Sequence, residues 1–169
     1  TWHGWTDQEK REAAACYYAA ITEIDQQYGR LIDYLEETGQ LENTVIVFSS
    51  DHGELLGSHG LYCKNISGFE EVYSVPLIMS GPGIEPGVVS EARVGLHDLA
   101  PTLLDLCGLE AIGAPDSHSF LAALRDSSGT MGDFARGFAE YNGGRYRVTQ
   151  RVVWDGDWKL CLNGFDFDE

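Results

Sequence analysis

Apolar positions change their spacing several times along this chain, and each change predicts an element. Tyr17, Ala20, Ile21, Ile24, Tyr28, Leu31, Ile32 and Leu35 recur at steps of three and four, the signature of one helical stripe. Thr6-Asp7-Gln8-Glu9 fits a capping box at its start, in which the Glu9 amide donates to the Thr6 hydroxyl and the Thr6 amide to the Glu9 carboxylate. Gly39 is the expected stop. The stripe predicts a packing face, with Glu23, Asp25, Glu36 and Glu37 mostly off it and solvated. Val45-Ile46-Val47-Phe48 is a β-branched run without alternation, which predicts a strand covered on both faces in a parallel sheet. Val75-Pro76-Leu77-Ile78-Met79 predicts a second short strand that Gly81-Pro82-Gly83 closes. Asp98 is placed to cap a helix over Leu99 to Leu106, and Gly108 to end it. Ser, Gly, Asp and Pro crowd the stretch from Gly113 to Gly132, predicting loop with a short helix around Phe120 to Leu124. Tyr146 to Trp154 and Trp158 to Leu162 flank Asp155-Gly156-Asp157, which predicts an antiparallel hairpin. The fold expected is α/β, a mostly parallel sheet flanked by helices with a small C-terminal antiparallel sheet. The division expected is residues 1–132 and 133–169.

Composition narrows the function classes. The chain has 169 residues, 43% of them hydrophobic, enough for the core of one domain. Eleven Lys and Arg against 27 Asp and Glu leave a net charge of −16, which repels phosphate backbones and anionic lipid surfaces. Nucleic acid is therefore not an expected partner. No apolar run approaches the roughly 18 residues of a membrane span. The chain opens Thr1-Trp2-His3-Gly4, with no initiator Met and no signal-peptide layout, and is expected to be a piece of something longer. Cys16, Cys63, Cys107 and Cys161 form no C-x-x-C pair, so zinc-ribbon and thioredoxin-like readings have no support. Cys16 and Cys107 lie in apolar periodic segments and are expected as small buried hydrophobes. The cysteines leave the cellular compartment open.

The chemistry concentrates in the segment from Ser49 to Lys64, just beyond the carboxyl end of the first predicted strand, where open α/β sheets bind ligands. Asp51 offers hard oxygen and His52 an imidazole nitrogen, a pair able to hold a divalent metal when other carboxylates join it. The same Asp-His-Gly is equally a strand-to-loop turn. Gly53, Gly57 and Gly60 let the backbone turn sharply and a ligand approach closely. Lys64 can bring an ammonium to an anion held by the metal, or be a solvated surface lysine. His59 can line the same site or hydrogen-bond loop backbone. His97, beside Asp98, is expected to be structural, and His3 and His118 have no evident partners. Asn65-Ile66-Ser67 is formally a glycosylation sequon, on which no expectation is placed.

In their order and spacing, NTVIVFSSDHGE, LGSHGLYCK, VPLIMSGPG and HDLAPTLLDLCGL resemble the sulfatase family of the alkaline phosphatase superfamily. The likeness runs from Tyr17 to Leu109 and resumes at RVVWDGDWKL, which is similar to the family's small C-terminal subdomain. Residues 1–132 would then be the C-terminal part of the sulfatase core and 133–169 the start of that subdomain. The resemblance implies a sulfuric ester hydrolase with a divalent cation, calcium first and manganese or magnesium as alternatives. Asp51 and His52 match its metal-binding positions, and Lys64 matches the lysine that contacts sulfate. His59 falls in a loop that often lines the substrate pocket, and with Lys64 it is the catalytic and substrate-binding candidate. The implied substrate is a sulfate ester, a small molecule or a sulfated sugar. Histidine at position 52 is similar to the branch containing iduronate, choline and phosphonate-ester hydrolases.

One departure is large. The family's formylglycine arises in C-x-P-x-R or S-x-P-x-R, and neither sequence is present; Ser74-Val75-Pro76-Leu77-Ile78 lacks the arginine. The family's paired N-terminal aspartates are missing too, and the chain stops at Phe167-Asp168-Glu169, where the family usually continues. The expectation is a C-terminal sulfatase part without its nucleophile half, inactive alone, binding calcium weakly, and self-associating through an exposed sheet face. The alternatives are a phosphonate or phosphate diester hydrolase of the same superfamily, or a non-catalytic fragment.

Overall fold

The computed structural model describes residues 2–64, 68–110, 113, 116–127, 132–143 and 148–165. Asn65-Ile66-Ser67, Tyr146 and Phe167-Asp168-Glu169 lie outside the described residues. Two compact units divide the chain, Thr1–Leu77 and Ile78–Glu169.

The first unit begins with the predicted helix. α1 spans Asp7–Glu37, and its capping box is present in full: the Thr6 amide donates to Glu9 Oε2 at 2.7 Å and the Glu9 amide to Thr6 Oγ1 at 3.3 Å. Those two bonds satisfy donors that have no partner within the helix. The Thr6 amide first, and then the Thr6 hydroxyl donating to Glu9 Oε2 at 2.8 Å, hold the Glu9 carboxyl below its usual range. At the other end, Gly39 takes φ +68°, the left-handed geometry that ends helices. The stripe is helical in period, but no residue of α1 is fully buried. Tyr28 and Leu35 are half-buried, Tyr28 meeting Phe48 edge-on at 5.1 Å between ring centroids, whereas Tyr18, Ile24 and Leu31 are exposed. Glu23, Asp25, Glu36 and Glu37 are solvated as expected.

Cys16, on this helix, is exposed rather than buried, because the periodic face around it is uncovered. Periodicity reports which residues share a face; it does not report whether something packs on that face. Strand β1, Ile46–Ser49, corrects the sequence reading in the same way: Phe48 is exposed, so the strand is half-covered. After it come a 3-10 turn over Ser58–Gly60 and a four-residue helix, α2, at Glu70–Tyr73. Among the described residues, Leu55 and Val72 are the buried apolar residues of this part.

Strand β2 spans Leu77–Ser80, with the second unit beginning at its Ile78, so Pro76 sits just ahead of the strand, where its missing N–H costs no ladder bond. Helix α3 spans Leu99–Leu106, with Gly108 at φ +65° beyond its end. Asp98 occupies the N-cap position, but its side chain does not cap α3. Its carboxylate instead accepts from the Gly95 amide at 2.9 Å and the His118 amide at 2.9 Å. The preceding 3-10 turn, Leu96–Asp98, points the carboxylate back along the chain, away from the α3 amides. Around it Thr102 is fully buried, donating to the Asp98 carbonyl and accepting from the Phe120 amide. His97 has Nε2 3.5 Å from Asp98 and its ring against Phe138. Cys107, expected to be buried, is exposed because it lies past the last turn of α3.

Three antiparallel strands close the unit: β3 (Arg136–Asn142), β4 (Val148–Asp155) and β5 (Trp158–Phe165), with β4 in the middle. The β4–β5 hairpin turns at Gly156-Asp157 with Asp155 opposite Trp158, as the turn signal predicts. β3 was not anticipated, because its Gly-Phe-Ala-Glu-Tyr core carries little β-branching. On one face Val152 and Gln150 are buried; on the other Val153, Leu160 and Leu162 are exposed. No described helix is long and apolar enough to cross a membrane.

Candidate active-site turn

The turn after β1 gathers three of the residues singled out by sequence. β1 delivers Ser49 and Ser50 to the strand end, where the Ser50 hydroxyl donates to the His52 carbonyl at 2.8 Å and Asp51 Oδ1 accepts the His52 amide at 3.0 Å. The Gly53 amide then donates to the Val72 carbonyl at 2.8 Å, tying the turn to α2. A Cβ at position 53 would overlap the Glu71 carbonyl oxygen and come within 2.9 Å of its carbon, so glycine is a packing requirement there.

His52 has a defined protonation pattern. Nδ1 lies 3.0 Å from the Gly53 carbonyl, which can only accept, so Nδ1 carries the proton and donates. Nε2 lies 2.9 Å from Lys64 Nζ, which can only donate, so Nε2 accepts through its lone pair. Asp51 Oδ2 stands 3.3 Å from that same nitrogen, two acceptors side by side. With Lys64 moved off that lone pair, an imidazole whose far nitrogen is pinned to a backbone carbonyl and whose near nitrogen sits beside a carboxylate is oriented to bind a cation. Two ligands of one hard cation at bond lengths of about 2.3–2.6 Å and a right angle would be roughly 3.3–3.7 Å apart. Asp51 and His52 fit that spacing. Among the described residues no group of three or more His, Cys, Asp or Glu surrounds a common point, so these two are a partial set. The nearby Ser49 hydroxyl is buried and has no hydrogen-bond partner among the described residues.

Lys64 is the only lysine or arginine between Arg30 and Arg93 in a chain of net charge −16, and its ammonium stands at this turn beside His52. His59 is placed differently. Its Nε2 lies 3.1 and 3.3 Å from the two Glu71 carboxylate oxygens, and its ring stacks on Phe69 at 3.7 Å and 8°. Glu71 is held below the usual carboxylate range, first by its own backbone amide and also by the His59 hydrogen bond and charge and by Ser58. Sequence reasoning did not find Phe69 or Glu71; the one trace was an aromatic and two acids, Phe69-Glu70-Glu71, after the lysine loop. Leu56, His59 and Cys63 have φ of 41°, 57° and 65°, and they are the only described non-glycine residues with positive φ. Backbone held this way gathers where surrounding contacts over-determine it, as at ligand-binding loops.

Comparison with known proteins places this turn in context. The Sulfatase family profile matches residues 2–109. Arylsulfatase K of Danio rerio is 34% identical over 157 residues, 92% of this chain and 30% of that protein. The solved structure of a protein in complex with its substrate D-glucosamine-2-N,6-O-disulfate aligns with TM-score 0.72 and 29% identity over 88% of this chain and 33% of that one. Phosphonate monoester hydrolase from Silicibacter pomeroyi aligns with TM-score 0.74 and 32% identity over 86% of this chain and 31% of that one. The chain thus spans about a third of the length of the proteins it matches, and its fold is the alkaline phosphatase-like α/β fold they share.

Proposed function

The chain belongs to the sulfatase family, and on that premise we propose that it supplies the cation-binding turn and the anion-binding lysine of a sulfuric ester hydrolase. The observation that carries this reading is the meeting of Asp51, His52 and Lys64 at one nitrogen, His52 Nε2. Asp51 and His52 would hold a divalent cation, calcium first and manganese or magnesium next, whose charge offsets that on sulfuryl oxygens. His52 is kept in the ligating tautomer by the Gly53 carbonyl, and Lys64 would place its ammonium on the sulfate ester. Family chemistry uses a formylglycine nucleophile, and no C-x-P-x-R or S-x-P-x-R occurs in these 169 residues. A sulfated sugar is the substrate class proposed, supported by the disulfated glucosamine bound by a structural neighbour. Residues 1–132 are assigned to the α/β core and 133–169 to the start of the small subdomain, an assignment that β3, β4 and β5 support by lying within the latter.

The test is hydrolysis of 4-nitrophenyl sulfate by the intact protein carrying these residues, with metal content measured in parallel. Asp51→Ala should remove most of both, and Lys64→Ala should remove activity while metal stays. Metal content unchanged in Asp51→Ala would overturn the reading. The phosphonate monoester hydrolase neighbour favours a second reading, hydrolysis of a phosphonate or phosphate ester. Faster turnover of a phosphonate ester or bis(4-nitrophenyl) phosphate than of the sulfate ester would establish that second reading instead.

A further inference from the structure

We propose that His59, Phe69 and Glu71 form a clasp that positions Lys64, so that His59 acts through the loop rather than on substrate; this rests on the role proposed for Lys64 above.

The lysine needs such a device. Its side chain is a flexible four-carbon stem, so its ammonium is aimed by the 2.9 Å contact with His52 Nε2 and by how firmly its backbone is held. Cys63, just before it, is exposed, with φ +65°, and its carbonyl is reached by the Leu55 amide at a long 3.4 Å. Tighter anchoring comes from α2. The Glu71 carboxylate takes His59 from the Ser58–Gly60 turn, and the adjacent Val72 carbonyl takes the Gly53 amide, next to His52. Two consecutive residues of α2 therefore hold both the cation-binding turn and the turn that leads to Lys64. Leu55 and Val72 are 1% and 6% exposed, so the anchor is seated on the packed part of the unit.

The geometry also says why His59 is a positioning residue. Nε2 faces the carboxylate and donates to it, and one ring face is covered by Phe69. Its φ of +57°, uncommon for a residue with a side chain, turns the ring toward α2. Together, stack and carboxylate hold the ring by a face and an edge.

The chain contains three lysines, Lys10, Lys64 and Lys159, so Lys64 can be read against two internal references. Brief acetylation with acetic anhydride at fixed pH, followed by proteolysis and peptide mass spectrometry that separates the three lysine sites, gives the Lys64 rate relative to the other two. Glu71→Gln and His59→Ala should each raise that ratio roughly two- to fivefold, the population shift expected from losing one exposed charged hydrogen bond. His59→Gln, which keeps an amide donor, should recover part of the protection; a purely space-filling role predicts no such recovery. Phe69→Leu keeps the His59–Glu71 hydrogen bond, removes the stack, and should give a smaller rise. A variant that unfolds raises all three rates and loses its helical circular dichroism, in which case Phe69→Leu and His59→Gln decide the outcome. An unchanged Lys64 ratio in folded Glu71→Gln and His59→Ala would overturn the clasp. Calcium with inorganic sulfate should slow Lys64 acetylation in the unsubstituted protein. If it does not, the role proposed for Lys64 fails, whatever the clasp variants show.

Discussion

Gly53→Ala is the substitution whose cost can be worked most directly from the geometry. The added methyl would overlap the Glu71 carbonyl oxygen, lie 2.9 Å from the Glu71 carbonyl carbon and 3.3 Å from Val72 Cα. All three are backbone atoms of α2, so no side chain can rotate away. Relieving the carbon–carbon contact alone, back to about 3.5 Å, requires roughly 0.6 Å of movement between the turn and α2, and the overlapped oxygen requires more. That movement stretches the 2.8 Å bond from the Gly53 amide to the Val72 carbonyl beyond good geometry. Overpacking of this kind costs about 1–3 kcal/mol, and the weakened hydrogen bond about 0.5–1.5 kcal/mol more. The expected loss is therefore about 1.5–4.5 kcal/mol, a large share of an ordinary domain's stability. Urea unfolding followed by circular dichroism measures it, with exchange of the residue 53 amide as a local readout. Gly29→Ala is the control: it sits within α1 with nothing within 4 Å of the new Cβ, and should stabilise by about 0.5–1 kcal/mol. A Gly53→Ala midpoint within error of the parent, with the residue 53 amide still protected, would refute the steric argument.

Further outcomes follow from other contacts. Asp98→Ala leaves the Gly95 and His118 amides without their acceptor in a site where Asp98 is 3% exposed, and should cost about 2–4 kcal/mol by chemical denaturation. The Glu71 carboxyl is held below its ordinary value, so its stabilising effect is complete above that value and lost as pH falls through the lowered one. NMR titration should put its midpoint below that of an ordinary glutamate, and a midpoint at or above the ordinary value would contradict the hydrogen bonds assigned to it. Thr6→Ala removes the acceptor for the Glu9 amide and should lower stability by about 1 kcal/mol, read as a shift in the helical circular dichroism melt. Val153, Trp158, Leu160 and Leu162 are exposed on the small sheet, so self-association should rise with concentration in light scattering; a monodisperse monomer would count against that expectation.

Whatever depends on neighbours a few residues apart could be read from sequence. The Thr6–Glu9 box, the helical period of α1, the Gly39 stop and the Asp155-Gly156-Asp157 hairpin each arise within a turn or two of chain. So did the pairing of Asp51 with His52, because adjacent residues on one tight turn cannot separate far. Tertiary structure decided the rest. It left Cys16 exposed on a periodic face, sent the Asp98 carboxylate to His118 instead of to α3, and brought Phe69 and Glu71 to His59. It also set Lys64 against His52 across twelve positions. Periodicity, capping and turn chemistry are local properties of the chain, whereas burial and the partner of a side chain depend on which distant backbone arrives beside it.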